Sequence, residues 1–272
     1  MLSGNIEKMV TQLQAPVDYA LPIGDDHLPM NPFLDRPLTL TYRGEIHCIA
    51  CGAKTKKSFS QGYCYRCCQR LAQCDMCIVK PEMCHYHLGT CREPEWGEQH
   101  CMIPHYVYLA NSSGLKVGIT RASQVPTRWI DQGAVQAMPI LKVQTRRQSG
   151  LMEAAIRQHV ADKTNWRAML KGDAVNIDLA QARDTLLQQI GDDIRAVNDQ
   201  FGDVVVEVVD EPVVDITYPV LTYPTKITSF NLDKDPEVRG VLQGIKGQYL
   251  IFDTGVINLR KYTGYYLTVQ AG

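Results

Sequence analysis

Four cysteines in two pairs constrain this chain more than any other feature: Cys48 and Cys51 in "CIAC", Cys64 and Cys67 in "CYRC". Each CxxC pair can present two thiolates to one ion from a single tight turn. The twelve residues between the pairs let two such turns meet tetrahedrally. Soft thiolates select zinc or iron, and zinc is the commoner structural occupant. The chain has ten cysteines. Its start, "MLSGNIEKMV", lacks a basic stretch followed by an apolar one, so no secretory signal is expected. A cytoplasmic, reducing location follows, where cysteines ligate metal instead of forming disulfides.

A second constellation runs through "CDMC" and "CHYHLGTCREPEWGEQHC". It offers Cys74, Cys77, Cys84, Cys91 and Cys101, with His85, His87 and His100 among them. The Cys74–Cys77 pair suits a second zinc, completed by Cys91 with Cys101 or Cys84, and with His85 in reserve. Both ions are expected to be structural, because each site has enough ligands to close a tetrahedron without water. Cys68 reads as a spare buried thiol.

Net charge is close to zero but unevenly placed. Between His105 and Lys171 ten Lys or Arg face three acids, Asp131, Glu153 and Asp162; between Gly172 and Asp215 eleven acids face Arg183 and Arg195. The basic block suits phosphate contacts, with Arg121, Arg128, Arg146, Arg147, Lys163 and Arg167 as candidates. The acidic block suits a protein partner or a solvated face. No apolar run reaches membrane-spanning length.

Periodicity sketches the elements. "GNIEKMVTQLQ" fits a short helix or a strand, "PVDYALPIGDDHLPMNPFLDRP" reads as loop, and "LTLTYRG" as a strand. "HYVYLA" and "LKVGIT" flank the turn "NSSG". A short helix in "VPTRWIDQGA", a strand in "MPILKVQTR" and a helix in "SGLMEAAIRQHVADKT" follow. "DLAQARDTLLQQIGDDIRAVNDQF" reads as one longer helix, with Asp178 at its favourable end. Beyond Asp203 the chain is β-rich. Its Tyr249, Tyr262, Tyr265 and Tyr266 suit either an OB-type barrel that stacks bases or a β-sandwich that packs tyrosines.

Strand, turn, strand, helix, strand, helix from His105 to Lys163 resembles the core of the GIY-YIG nucleases, with "YVY" standing as the first motif and "KVG" as the second. The resemblance implies a divalent-metal-dependent nuclease. Tyr106, Tyr108, Lys116, Arg128 and Glu153 would be its catalytic set, with one magnesium or manganese at Glu153. Each role answers a physical need: the transition state gathers negative charge, which a cation and a fork of donors can stabilise. The sequence departs from the family at two positions. Tyr106 stands for a glycine, and Lys116 for a tyrosine. An ordinary ammonium cannot accept a proton at neutral pH, so Lys116 could be a base only if burial lowered its pKa.

The phrases "CIACGAKTKKSFSQGYCYRC", "GTCREPEWGE", "LANSSGLKVGITR", "RWIDQGA", "KTNWRAMLKG" and "GIKGQYLIFDTGVINLRKYTGY" also resemble an uncharacterised bacterial family, domain of unknown function 2797. The expected organisation is α+β. An N-terminal segment (1–46) contributes strands. A zinc-ribbon-like module follows (47–103), then a ββαβα core (104–172), an acidic helix (173–202) and a β-rich C-terminal domain (203–272). The expected function is a zinc-stabilised, nucleic-acid-binding phosphodiesterase. The alternatives are an inactive binding module of the same fold or a zinc-built protein–protein adaptor.

Overall fold

The computed structural model describes all residues, 1–272. It mixes helix and sheet, and no helix is long and apolar enough to cross a membrane.

The two ends of the chain build one seven-stranded antiparallel sheet. Its order is Leu2–Asn5, Tyr265–Ala271, Pro37–His47, Glu237–Lys246, Tyr249–Phe252 and Gly255–Asn258, with Lys54–Thr55 added beside Pro37–His47. Leu38, Leu40, Val238, Leu242, Leu250, Leu267 and Val269 point from these strands into a core of 30 buried residues. Tyr262 and Tyr265 are buried in the same core, where their rings meet edge-on at 5.1 Å, so two of the tyrosines pack and do not offer stacking platforms.

The segment read as loop, 16–37, contains a hairpin. Asp18–Ile23 and Asp26–Pro29 pair with each other, and Val10–Gln12 joins them in a three-stranded sheet. Tyr19, Leu21 and Ile23 alternate into the core. That period of two outweighs the prolines, one of which, Pro22, sits in the strand opposite His27.

A second sheet carries the middle of the chain. His105–Asn111 lies between Leu115–Arg121 and Gln136–Val143, and Val206–Val208 and Val214–Asp215 both pair with the latter strand. Successive side chains of the central strand face opposite ways. Tyr108 and Ala110 join the large β core, whereas Val107 and Leu109 pack under the helices Arg146–Ile156, Leu179–Gln189 and Gly191–Phe201. The last two helices were expected as one; the chain breaks at Ile190, immediately before Gly191. Helix Arg146–Ile156 begins on a capping box: Thr145 accepts from the Gln148 amide, and Gln148 returns the bond to the Thr145 amide.

Candidate functional site

The first cysteine cluster sits where Pro37–His47 ends. Cys48 follows that strand, Cys51 lies in the turn behind it, and Cys64 and Cys67 come from the start of helix Tyr65–Arg70. The turn closes through the Gly52 amide to the Cys48 carbonyl at 2.8 Å, with Gly52 at φ +70°. The four sulfurs lie within 4.8 Å of one another, and Cys51 and Cys64 are 3.9 Å apart. Thiolates sharing one ion at about 2.3 Å stand about 3.8 Å apart. The cluster therefore fits a metal ion such as zinc.

The second constellation divides. Cys77, Cys84 and Cys101 are buried together against Tyr86 and Trp96. Cys91 lines the same small pocket. Cys74 stands apart, within reach of Cys68 and Ser60. His85 bonds Thr90 through Nδ1 at 2.7 Å, and its Nε2 lies 3.7 Å from Asp75.

Between this module, the second sheet and the C-terminal strands lies a cleft of about 820 Å³. Lys116, Arg128 and Glu153 all line it. Lys116 projects from the edge strand Leu115–Arg121. Arg128 comes from helix Thr127–Asp131, and Glu153 from helix Arg146–Ile156. Tyr108 lies directly beneath, fully buried, and donates to Oε1 of Gln132 at 3.0 Å. Lys116 Nζ donates to the same oxygen at 2.7 Å and to Thr164 Oγ1 at 3.1 Å. Gln132 thus ties the two predicted residues together. Across the hairpin Tyr108 faces Gly118. A Cβ on Gly118 would lie 2.5 Å from the tyrosine oxygen, so the glycine of "KVG" makes room for the ring.

Electrostatics follow from burial. Burial, reinforced by the Arg128 charge, brings Lys116 down to about 8. Burial pushes Tyr108 up to about 12. The Glu153 carboxyl is raised by burial. Arg157, one turn further along, pairs with Glu82 and Asp162 instead of Glu153. Arg128 does not pair with Asp131, whose carboxylate holds Lys8 at 2.8 Å and Gln248 at 2.9 Å.

Of the six basic candidates, Arg121, Arg128 and Arg146 line the cleft. Arg146 is also committed to the cysteine-rich module, donating to the carbonyls of Cys77 (3.3 Å) and Ile78 (2.7 Å). Arg147 lies over Phe201 at 5.5 Å and Arg167 over Trp166 at 4.3 Å; these two and exposed Lys163 stand outside the cleft. Tyr106 is half-buried between Thr120 and Lys142, away from the cleft lining. Sequence reasoning missed Gln132, Thr164, Asp162 and Arg260. Arg260 enters the cleft from the C-terminal region, where it donates to Gln61 at 2.7 Å. Its guanidinium is destabilised by burial and by the Arg128 charge. No local signal marks these four, because only the tertiary fold brings them together.

Fold and sites together define an α+β protein with a four-cysteine cluster able to hold a metal ion and a cleft rich in guanidinium groups. Residues 35–267 match the family described as protein of unknown function DUF2797, and the chain belongs to that family. No curated protein and no solved structure matches it.

Proposed function

We propose that the cleft binds nucleic acid through its phosphates and hydrolyses a phosphodiester bond, in a protein stabilised by zinc at Cys48, Cys51, Cys64 and Cys67. The observation that carries this reading is the meeting of Lys116, Arg128 and Glu153 in one cleft from three separate elements. Arg128 and Arg260 supply forks of donors that match phosphate oxygens. Their mutual repulsion is relieved when an anion sits between them.

Glu153 is the residue to hold a divalent ion such as magnesium or manganese. It is a half-buried carboxylate free of any arginine partner, with the Asp162 oxygens in the same cleft. A hard oxygen donor suits such an ion, which when bound would polarise a phosphoryl oxygen. Lys116 supplies the base. With its pKa lowered to about 8, a useful fraction is neutral near physiological pH and can take a proton from the attacking water. Gln132 and Thr164 aim that amine. Water oxygen then bonds to phosphorus, the water proton moves to Nζ, the bond to the leaving oxygen breaks, and that oxygen takes up a proton from solvent water. Tyr108 is a positioning residue. Its phenol is held protonated and occupied by Gln132.

The second reading is a binding module without turnover: the buried Tyr108 phenol cannot relay a proton to the cleft, so catalysis rests on Lys116 alone. Incubation of purified protein with mixed DNA and RNA substrates and magnesium or manganese separates the two. Wild type is expected to cleave and Glu153→Ala to lose cleavage with binding kept. Salt-sensitive binding without any cleavage by wild type selects the binding module. No binding at low salt removes both readings and leaves the protein–protein adaptor.

A further inference from the structure

We propose that Cys77, Cys84, Cys91 and Cys101 hold a second metal ion such as zinc, and that this ion fixes the helix on which Glu153 stands. Three of the four cysteines are buried in contact with one another, each at 9% exposure or less. The Cys84 sulfur is within hydrogen-bonding reach of those of Cys77 and Cys101. All three remain free thiols. Three buried thiols gathered around Cys84 without a disulfide offer a soft-ligand set. Cys91 lines the same small pocket as these three cysteines.

The fourth ligand could in principle come from Asp75 or His85, whose donor atoms lie within 4.8 Å of the Cys77 sulfur. Asp75 is already used, and a fourth thiolate matches the other three soft ligands better than the His85 imidazole does. Asp75 accepts from Arg92 at 2.6 Å and from the Cys77 amide at 3.3 Å. His85 bonds Thr90 through Nδ1. Cys91 makes only a long contact of 3.5 Å to the Glu93 carbonyl, and its sulfur is available. Asp75 and His85 then become the outer groups that steady the ligand loops, as carboxylates and amides do around thiolate centres. Cys74, despite its CxxC spacing with Cys77, faces Cys68 and takes no part.

The loops that carry these ligands grip helix Arg146–Ile156. The Arg146 guanidinium bonds the carbonyls of Cys77 and Ile78, and its amide bonds the Cys101 carbonyl at 2.8 Å. Gly150 of the same helix lies so close to the turn Pro81–Met83 that a Cβ there would be 2.2 Å from the Glu82 amide nitrogen. Glu153 is one turn further along. The ion therefore sets the position of the carboxylate through backbone contacts. The metal site stands on its own; only its effect on cleavage rests on the phosphodiesterase reading.

Titration of metal-free full-length protein with cobalt, followed by the thiolate-to-cobalt absorption, is expected to saturate at two equivalents per chain. Cys84→Ser and Cys91→Ser are expected to saturate at one, and Cys74→Ser at two. Saturation of wild type at one equivalent, or loss of an equivalent in Cys74→Ser with none in Cys91→Ser, overturns the assignment. Where a variant fails to fold, alkylation of the native zinc-loaded wild type decides. Cys68 and Cys74 should react, the other eight cysteines should be protected, and a chelator should release protection in both groups of four. Rapid alkylation of Cys91 in protein holding two zinc ions would equally overturn it. Neither readout involves nucleic acid, so failure of the metal site is distinguishable from failure of the cleft to cut.

Discussion

The cysteine-rich stretch between Cys48 and Cys101 and the seven-stranded sheet beside it solve the same problem by different means. The sheet buries Leu38, Leu40, Leu250 and Leu267 completely, within a core of 30 residues. The cysteine-rich stretch has one two-residue strand, two short helices and several single 3₁₀ turns. It leaves Met76, Val79, Met83 and Leu88 more than half exposed. Its own apolar cluster consists of three cysteines. Apolar burial of about 25 cal/mol per Å² can hold the sheet. The stretch has too little of it, so ligand bonds are expected to take the place of a core, with metal binding energy then serving as folding energy.

Removing metal is the strongest way to break this comparison. A chelator at neutral pH is expected to abolish amide protection between Cys48 and Cys101. Protection in Pro37–His47 and Tyr265–Ala271 should persist. The readout is hydrogen exchange by mass spectrometry, and equal loss in both regions would show that they form one cooperative unit. The converse experiment acts on the sheet. Leu40→Ala deletes a fully buried side chain and should cost about 2–5 kcal/mol in denaturant unfolding, with metal content unchanged. Gly150→Ala tests the seam between the regions. Its Cβ would meet backbone of the Pro81–Met83 turn, so a loss of about 1–3 kcal/mol and weaker retention of one metal equivalent are expected.

The smallest effect concerns Lys116, in the second sheet. Its folded pKa, about 8, lies below its ordinary value of 10.5. Between these values the unfolded chain holds a proton that the folded one has released, so stability should rise with pH across that window. At pH below about 8 both states are charged, and the burial cost is fully present. Lys116→Met should flatten the rise, read as the pH dependence of the denaturation midpoint. An unchanged slope would mean that the amine is solvated. Wild-type cleavage should instead rise with pH through about 8, the folded pKa, and level off above it, and Lys116→Arg should abolish cleavage, because guanidinium does not deprotonate.

Legibility in the sequence also differs between the regions. The first cysteine cluster is a local signal: two CxxC turns at a workable spacing, and the structure brings those four sulfurs together. The second misleads, because Cys74 and Cys77 have the same spacing yet diverge. Cys74 ends one 3₁₀ turn and Cys77 sits in the next, with Asp75 between them capping the Cys77 amide. The strands from His105 to Val143 were readable from β-branched and aromatic alternation. The hairpin Asp18–Pro29 was hidden by its prolines and aspartates, although Tyr19, Leu21 and Ile23 carry the period of two. In the cleft, Lys116, Arg128 and Glu153 could be picked out by order along the chain. Gln132 could not, because a glutamine that accepts from two buried donors looks like any other until Tyr108 and Lys116 converge on it.

The pairing of Leu2 with Val269 imposes an order on synthesis. Strand Pro37–His47 needs Tyr265–Ala271 on one side and Glu237–Lys246 on the other. Neither exists when the ribosome has made only the first half of the chain. The hairpin His105–Arg121 and its neighbour Gln136–Val143 are close in sequence and can pair as they emerge. Strand Pro37–His47, carrying Leu38 and Leu40, must wait with its edges open until both neighbours have been made. A chain made only as far as Val208 would therefore hold a paired middle sheet beside the open edges of Pro37–His47, with Leu38 and Leu40 exposed.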